Sequence, residues 1–379
     1  MRYLALCCIA KDEEPFLKEW IAYHSLLGVE HFYIYDNESK RPIREVLDGF
    51  TDAGRVTIRR ITGHTMQLLA YADCLESFGK DCHWIGFLDI DEFALPVQEN
   101  DLRVFLSEFE QYGGLAAPWH LFNSSGHLRR PEGPVIKNYV EAFRPSESFQ
   151  NKCFVQPARA RQPFNPHFFN YIDGYYCANE DHYPVSPFCE PSFSSGSRIR
   201  VNHYFVRSQQ DFEEKLKRGR GDTAALDRQH DWTMFNEAIK HPYAEDRTIQ
   251  RFLPRLEAIL EAGRLPEVSP LLPQGADYEA LMEGALKLME AGEPEKAQAL
   301  MCYAGPEHRA KADFWTLRAM LAMEAGQPER ADLFIRQSMI REATLTGYKQ
   351  LETQFRVMGK SELADNVRNI TTRYSSYFH

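Results

Sequence analysis

Residues 3–88 alternate between short apolar runs and amphipathic stretches, and this alternation limits the fold more than any other feature of the chain. The runs at 3–10, 29–35, 55–61 and 83–88 are the length of strands, and the last is short and rich in large hydrophobes, as fits a strand buried on both faces. The stretches 14–27, 43–50 and 66–78 read as helices. In the first, Phe16, Leu17, Trp20, Ile21, Tyr23, His24, Leu26 and Leu27 make a broad apolar stripe at helical spacing. Glu13 and Glu14 suit its first turn, Pro15 an early helical position and Gly28 its C-terminal cap. Strands alternating with helices predict an α/β domain whose mainly parallel sheet is flanked by helices.

Ligands in such sheets sit beyond the carboxyl ends of the strands. Three polar groups fall there: Lys11-Asp12-Glu13, Asp36-Asn37 and Asp89-Ile90-Asp91. Asp89 and Asp91 stand two apart after the apolar run Trp84-Ile85-Gly86-Phe87-Leu88. In extended chain their side chains point the same way. Two carboxylates on one side need a cation or hydrogen-bond donors. Hard divalent ions prefer oxygen ligands and bridge carboxylates to substrate phosphates. A metal–diphosphate site at Asp89 and Asp91 is the expectation, against the bland reading of a chance D-x-D on a solvated loop. Gln67 opens the helix that faces the same crevice.

Composition narrows the class. The 379 residues are 44% apolar and 13% aromatic, enough for a large core. A formal net charge of -10 disfavours nucleic acid as a partner. No run of 18 apolar residues is present, and Lys11-Asp12-Glu13-Glu14 closes the N-terminal apolar run without a cleavage signature. The expected location is cytoplasmic, at most peripheral at the inner membrane face. The eight cysteines form no C-x-x-C pair and are expected as reduced core thiols. No G-x-G-x-x-G or P-loop is present.

Beyond residue 100 the pattern changes. A helix is expected over 102–112, a strand over 114–122, an irregular region rich in Pro, Asn and aromatics over 130–200, a strand over 198–205 and a basic helix over 209–218. Residues 222–239 read as a further helix. From about 250 the composition is helical, and Leu288–Ala297 matches Ala322–Ala331 at an offset of 34 residues, with a weaker echo over 356–364. That period resembles tetratricopeptide repeats. The expected division is 1–245 for the α/β domain and 246–379 for an all-α helical-repeat domain, which holds a protein partner, self-associates or braces the first domain.

Four segments in this order resemble glycosyltransferase family 92 and its family-2-like bacterial relatives. They are Lys11-Asp12-Glu13-Glu14-Pro15-Phe16-Leu17-Lys18-Glu19-Trp20-Ile21-Ala22-Tyr23-His24, Gly28-Val29-Glu30-His31-Phe32-Tyr33-Ile34-Tyr35-Asp36-Asn37, Phe87-Leu88-Asp89-Ile90-Asp91-Glu92-Phe93 and Val201-Asn202-His203-Tyr204. The basic helix at Phe212 to Arg218 adds to the likeness, which covers about the first 220 residues. The resemblance implies a GT-A nucleotide-diphospho-sugar transferase fold and transfer of a sugar from a UDP-sugar or similar donor to a glycan, lipid-linked or protein acceptor. It implies Mn2+ or Mg2+ on the D-x-D motif, with Asp91 as direct ligand, Asp89 toward ribose or metal and His203 as late ligand. Asp36 would contact the nucleoside, and Lys11 and Glu13 would border its pocket. Gln67 is placed in the same donor site.

An inverting transfer needs a carboxylate base opposite the leaving group. Asp173, Glu180, Asp181 and Glu190 are candidates, each of which singly reads as a solvated loop acid. Glu190, among prolines and aromatics just before the His203 strand, and Asp181 are the two carried forward. Trp119 and His120 are candidates for the acceptor side, and Lys152, Arg159 and Arg161 for the diphosphate. For His167 a local loop contact is the simpler reading, and for Trp119 a core position. The alternative class is a degenerate transferase domain acting as a carbohydrate-binding module or a repeat-mediated scaffold. A nucleotidyltransferase is a further rival, but it usually carries a glycine-rich loop where this chain has Ile9-Ala10-Lys11-Asp12.

Overall fold

The computed structural model describes residues 2–52, 54–143, 150–186, 194–218, 244–266, 278–301 and 311–327, with scattered positions beyond. The chain divides into two compact units, Met1–Val268 and Ser269–His379. The first opens with the expected alternation: β1 (Arg2–Ala10), α1 (Glu14–Leu26), β2 (His31–Asp36), α2 (Ile43–Val46), β3 (Val56–Arg60), α3 (Gln67–Phe78) and β4 (Cys82–Phe87). It continues through β5 (Glu92–Pro96), α4 (Leu102–Leu106), β6 (Gly114–Leu121), α5 (Val135–Asn138), β7 (Glu141–Ala142) and β8 (Asn151–Val155). Then come β9 (Ala160–Asn165), β10 (Phe168–Tyr171), β11 (Cys177–Ala178), β12 (Pro184–Val185), β13 (Ile199–His203), α6 (Gln209–Arg218), β14 (Ala244–Glu245) and α7 (Leu253–Ala262).

A ten-stranded sheet runs in the order β12-β11-β6-β8-β4-β1-β2-β3, with β13 joining β6 to β5. Strands β1 to β4 are mutually parallel. β8 enters antiparallel between β4 and β6, so β6 runs in the same direction as β4. β13 is parallel to β6 and antiparallel to β5. The sheet is thus mostly parallel, and Trp84, Ile85 and Phe87 of β4 are fully buried, as a strand covered on both faces requires. Gly86 carries no side chain because the Phe154 ring of β8 and Leu6 of β1 would lie 2.5 and 2.6 Å from its Cβ.

Several elements differ from the sequence expectation. The helix expected over 43–50 is the single turn α2. That expected over 102–112 stops at Leu106 and continues as a 3-10 turn, Ser107–Phe109. The region expected to be irregular holds α5 and the strands β7 to β12, none longer than six residues. Strands so short leave no periodicity for a sequence window to register.

The apolar stripe of α1 has a second task. Among the described residues β5 pairs with β13 along one edge only, and α1 side chains serve the other. The indole of Trp20 donates to the Glu92 carbonyl at 2.8 Å and the Tyr23 hydroxyl to the Ala94 carbonyl at 2.7 Å. The Ala94 N–H donates to His24 Nε2 at 3.2 Å. Backbone groups that a sheet edge would leave open are thereby satisfied, and the loop carrying Asp89 and Asp91 is pinned from its far end. α7 packs with this unit: Phe252, just before it, meets the Tyr23 ring at 5.5 Å, and Arg251 Nη2 donates to the Glu99 carbonyl at 2.8 Å.

The six described cysteines are buried free thiols. Among the described residues no helix is long and apolar enough to cross a membrane.

The second unit has its own core. α8 (Tyr278–Glu290), α9 (Pro294–Met301) and α10 (Ala312–Glu324) enclose Leu281, Ala285, Ala297, Met301, Phe314 and Leu321. The matched glycines, Gly292 and Gly326, both take left-handed backbone, at φ 74° and 71°. Both close their helices with the same paired bonds, Gly292 N–H to Met289 O and Glu293 N–H to Leu288 O, then Gly326 N–H to Met323 O and Gln327 N–H to Ala322 O. This is the Schellman arrangement, for which only glycine is free of Cβ strain. The echo over 356–364 lies largely outside the described residues, as does the helix expected over 222–239.

Candidate active site

The carboxyl ends of β1, β4 and β13 bring the first group of side chains together. Backbone pairing sets His203 opposite Glu92 of β5 and Leu121 of β6, and the Tyr204 N–H donates to the Asp91 carbonyl at 2.8 Å. His203 Nε2 then lies 3.5 Å from Asp91 Oδ1. On the other oxygen, Lys215 of α6 reaches Asp91 Oδ2 at 2.6 Å, and Arg207 Nη2 lies 3.8 Å away. Arg207 also lies 3.5 Å from Glu13, which pairs with Arg218. Burial pushes the Asp91 carboxyl up, but Lys215 first, then His203 and Arg207, hold it well below the usual carboxylate range. Burial, outweighing Asp91, lowers His203 and favours its neutral form.

A second group forms around Asp89. Lys152 of β8 donates to Asp89 Oδ2 at 2.8 Å and lies 3.2 Å from Glu92 Oε2. Gln67 Nε2, at the start of α3, donates to Asp89 Oδ1 at 2.7 Å and to the Tyr71 hydroxyl at 3.0 Å. The Asp89 N–H closes the turn onto Glu92 Oε2 at 2.8 Å. Burial pushes the Glu92 carboxyl up, against the pull of Lys152. Trp119 of β6 covers His203 with ring centroids 4.2 Å apart and meets His167 edge-on at 5.0 Å.

Two features set this region apart from an ordinary salt-bridged surface. Asp12 and Arg207, on its rim, have φ of 52° and 49°, left-handed values that cost energy in non-glycine residues and cluster at functional sites. Among the described residues His203 Nδ1, Arg207 Nη1, Glu13 Oε2, Glu92 Oε1 and Trp119 Nε1 are buried with no hydrogen-bond partner. An unmet buried polar atom costs about 1–3 kcal/mol, so five in one place mark a site shaped for something else. A small cleft lined by Asp12, Phe16, Arg130, Arg207, Lys215 and Arg218 opens beside it.

Of the expected donor-site residues, Glu13, Gln67, Asp89, Asp91 and His203 fall in these two groups. Lys11 is half-buried at the end of β1, with no ion pair among the described residues. The Asp36 carboxylate accepts from the Ser39 N–H at 2.9 Å and lies 3.5 Å from the Ile43 N–H, so it shapes its own loop. Asp181 is exposed, its backbone N–H bonded to Asn179, and none of its contacts among the described residues reaches Asp89, Asp91 or His203. Glu190 lies outside the described residues.

Glu180 is fully buried and accepts from the N–H groups of Gly196, Arg198 and Ile199. It is a staple for the loop before β13, with no capacity left for a base. Asp173 is exposed beside Arg161, and Arg159 stacks over Tyr175. His120 faces Asp246 at 3.1 Å, across the strand from Trp119. His167 Nδ1–H donates to the Asn151 carbonyl at 2.9 Å, the local contact expected of it. Sequence reasoning did not single out Arg207, Glu92 or Tyr71. The only signal for Arg207 and Lys215 was the run of basic residues following His203.

A divalent ion can be judged against this donor set. Among the described residues no three His, Cys, Asp or Glu side chains gather as a ready-made cluster. Asp91 and His203 do lie side by side, with Nε2, the nitrogen that a shared ion would use, 3.5 Å from Asp91 Oδ1. The carboxylate fits a hard divalent ion that takes its remaining ligands from diphosphate and water, while the imidazole is the less usual ligand for Mg2+ or Mn2+. Asp89 fits less well, because its counter-ion Lys152 is fully buried, whereas Lys215 beside Asp91 is partly exposed.

Comparison with known proteins gives a consistent picture. The family model described as glycosyltransferase family 92 matches residues 2–241. A glycosyltransferase family 92 protein of Oryza sativa subsp. japonica is 28% identical over 229 residues, covering 59% of this chain and 36% of the relative. One of Arabidopsis thaliana is 29% identical over 167 residues, covering 41% and 28%. One of Ricinus communis is 28% identical over 222 residues, covering 57% and 37%. The chain thus spans about a third of the length of the curated relatives it matches.

Proposed function

The chain belongs to glycosyltransferase family 92, and from that premise we propose that its first unit is a GT-A glycosyltransferase moving a sugar from a nucleoside-diphosphate sugar, a UDP-sugar foremost, to an acceptor hydroxyl. The observation that carries this reading is the meeting of Asp91 and His203 with Lys215, Arg207 and Arg218 at the carboxyl ends of the strands, amid buried polar atoms that lack partners. Asp91 and His203 would hold Mn2+ or Mg2+. When bound, that ion offsets the negative charge that builds on the leaving diphosphate. Lys215, Arg207 and Arg218 supply fixed positive charge for the same diphosphate and need not be drawn from solvent as the bond breaks. In this reading their present partners, Asp91 and Glu13, are internal counter-ions that the donor replaces. Glu13 and Gln67 border the donor, and Lys11 and Asp36 complete its nucleoside side.

For an inverting displacement the base is assigned to Glu190, with Asp181 as its alternative. The acceptor is a glycan, a lipid-linked sugar or a protein. The second unit is read as a tetratricopeptide-like repeat that binds a protein partner or another copy, in a cytoplasmic protein, at most peripheral at the inner membrane face. Replacing Asp91 by Asn tests the core of this reading. Calorimetry with UDP-sugars and Mn2+ should show at least a 100-fold loss of metal-dependent affinity. Binding that survives D91N unchanged, or that ignores Mn2+ in the native chain, removes the metal site.

A further inference from the structure

Lys152 is unusual for a lysine: its side chain has no exposed surface. It comes from β8, the antiparallel strand inserted between β4 and β6, where it pairs in register with Ala117. Its ammonium lies 2.8 Å from Asp89 Oδ2 and 3.2 Å from Glu92 Oε2, and Glu92 is fully buried too. A buried ammonium is tolerated only with opposite charge beside it, so this cation is committed to the two acids. It takes no part in the exposed surface of the crevice.

Asp89 is held from the other side as well. Gln67 bonds Oδ1 at 2.7 Å, and the Tyr71 hydroxyl stands 3.4 Å from the same atom. The carboxylate is therefore fixed at both oxygens while its side chain stays 32% exposed. A carboxylate offers about four lone-pair directions, so capacity remains on the open side. Asp91, two residues on, has a different counter-ion in Lys215, whose side chain is 22% exposed and sits on a surface helix. One acid of the motif thus has a fully buried cation and the other a partly exposed one.

We propose that Lys152 is a positioning residue for the donor site, acting through Asp89: it neutralises that carboxylate and fixes it as an acceptor for a sugar hydroxyl of the donor, leaving the divalent ion to Asp91 and His203. This rests on the glycosyltransferase reading above. It predicts that the sites of Lys152 and Asp89 behave as one energetic unit, distinct from Asp91.

The test is a mutant cycle in the full-length chain. K152M alone strands Glu92 as an uncompensated buried acid and risks unfolding, so the working variant is K152M/E92Q, with a cooperative melt checked first. Affinities for UDP-glucose, UDP-galactose and UDP-N-acetylglucosamine with Mn2+ are measured by calorimetry, and the tightest is carried through the cycle. D89N and K152M/E92Q are each expected to weaken binding 10- to 100-fold, the usual range for a partner that orients a ligating group. The combined variant D89N/K152M/E92Q should fall within about threefold of D89N, because both changes remove one interaction. Mn2+ binding alone, followed by electron paramagnetic resonance, should change less than threefold in K152M/E92Q and be lost in D91N. Losses that multiply, or a folded K152M/E92Q with native donor affinity, overturn the proposal while leaving the glycosyltransferase reading intact. A native chain that binds none of the three with Mn2+ overturns both.

Discussion

At the scale of single residues, the histidine that closes the first family-like segment has a structural role. His24 Nδ1 faces the Trp20 carbonyl at 2.9 Å while Nε2 accepts from the Ala94 N–H. Both bonds exist together only in the neutral ring with its proton on Nδ1. Burial lowers His24 to about 3, whereas an imidazole in the unfolded chain titrates near 6.5. The unfolded chain takes up this proton first. Stability from His24 is therefore complete above about pH 6.5 and falls as the pH drops toward 3, by about 1.4 kcal/mol per unit within that window. H24Q keeps a carbonyl for Ala94 but cannot titrate. Urea unfolding at pH 6, 5 and 4 should show a flatter pH dependence for H24Q by about that slope. An identical slope in both proteins would mean that the neutral ring is not the cause. Glu19 works in the opposite sense. Burial pushes it up to about 7, so its share of stability is present at low pH and lost as the pH rises from about 4.5 to 7. The comparison of variants is what isolates His24.

At the scale of elements, β13 depends on a side chain far from the chemistry. Glu180 gathers the N–H groups of Gly196, Arg198 and Ile199 with one carboxylate, and Ser195 Oγ adds a bond at 2.8 Å. Without it these donors are buried and unmet at the very start of the strand that ends in His203. E180A is expected to cost about 3 kcal/mol, at the level of breaking a buried charged network, and to lower the melting temperature by several degrees. A melt within one degree of native would show that the loop holds itself. The α1 bracket on β5 follows the same logic, and it explains why Trp20, Tyr23 and His24 accompany the acidic motif. They hold the strand that follows it.

At the scale of the whole molecule, the chain divides into two compact units, and the site residues expected from sequence all fall within the first. Hydrophobic contacts in Ser269–His379 form a separate core. A chain ending at Val268 should therefore bind UDP-sugar with Mn2+ within about threefold of the full chain. Loss of binding in a truncated protein that still melts cooperatively would mean that the second unit completes the site.

The sequence by itself determined the α/β alternation, the acidic pair at the end of β4 and the 34-residue spacing of Gly292 and Gly326. Each is a local pattern: strand and helix periodicities, a strand end and a left-handed turn are written in neighbouring residues. What only the tertiary structure decided is which charges meet. Lys152 and Asp89 are 63 residues apart and Lys215 and Asp91 124 apart, and no periodicity links them. The antiparallel entry of β8 gives one acid a buried lysine, and the return of β13 and α6 gives the other a histidine and a partly exposed lysine. Two carboxylates that look equivalent in sequence are made unequal because the lysine paired with Asp89 is fully buried and the one paired with Asp91 is 22% exposed.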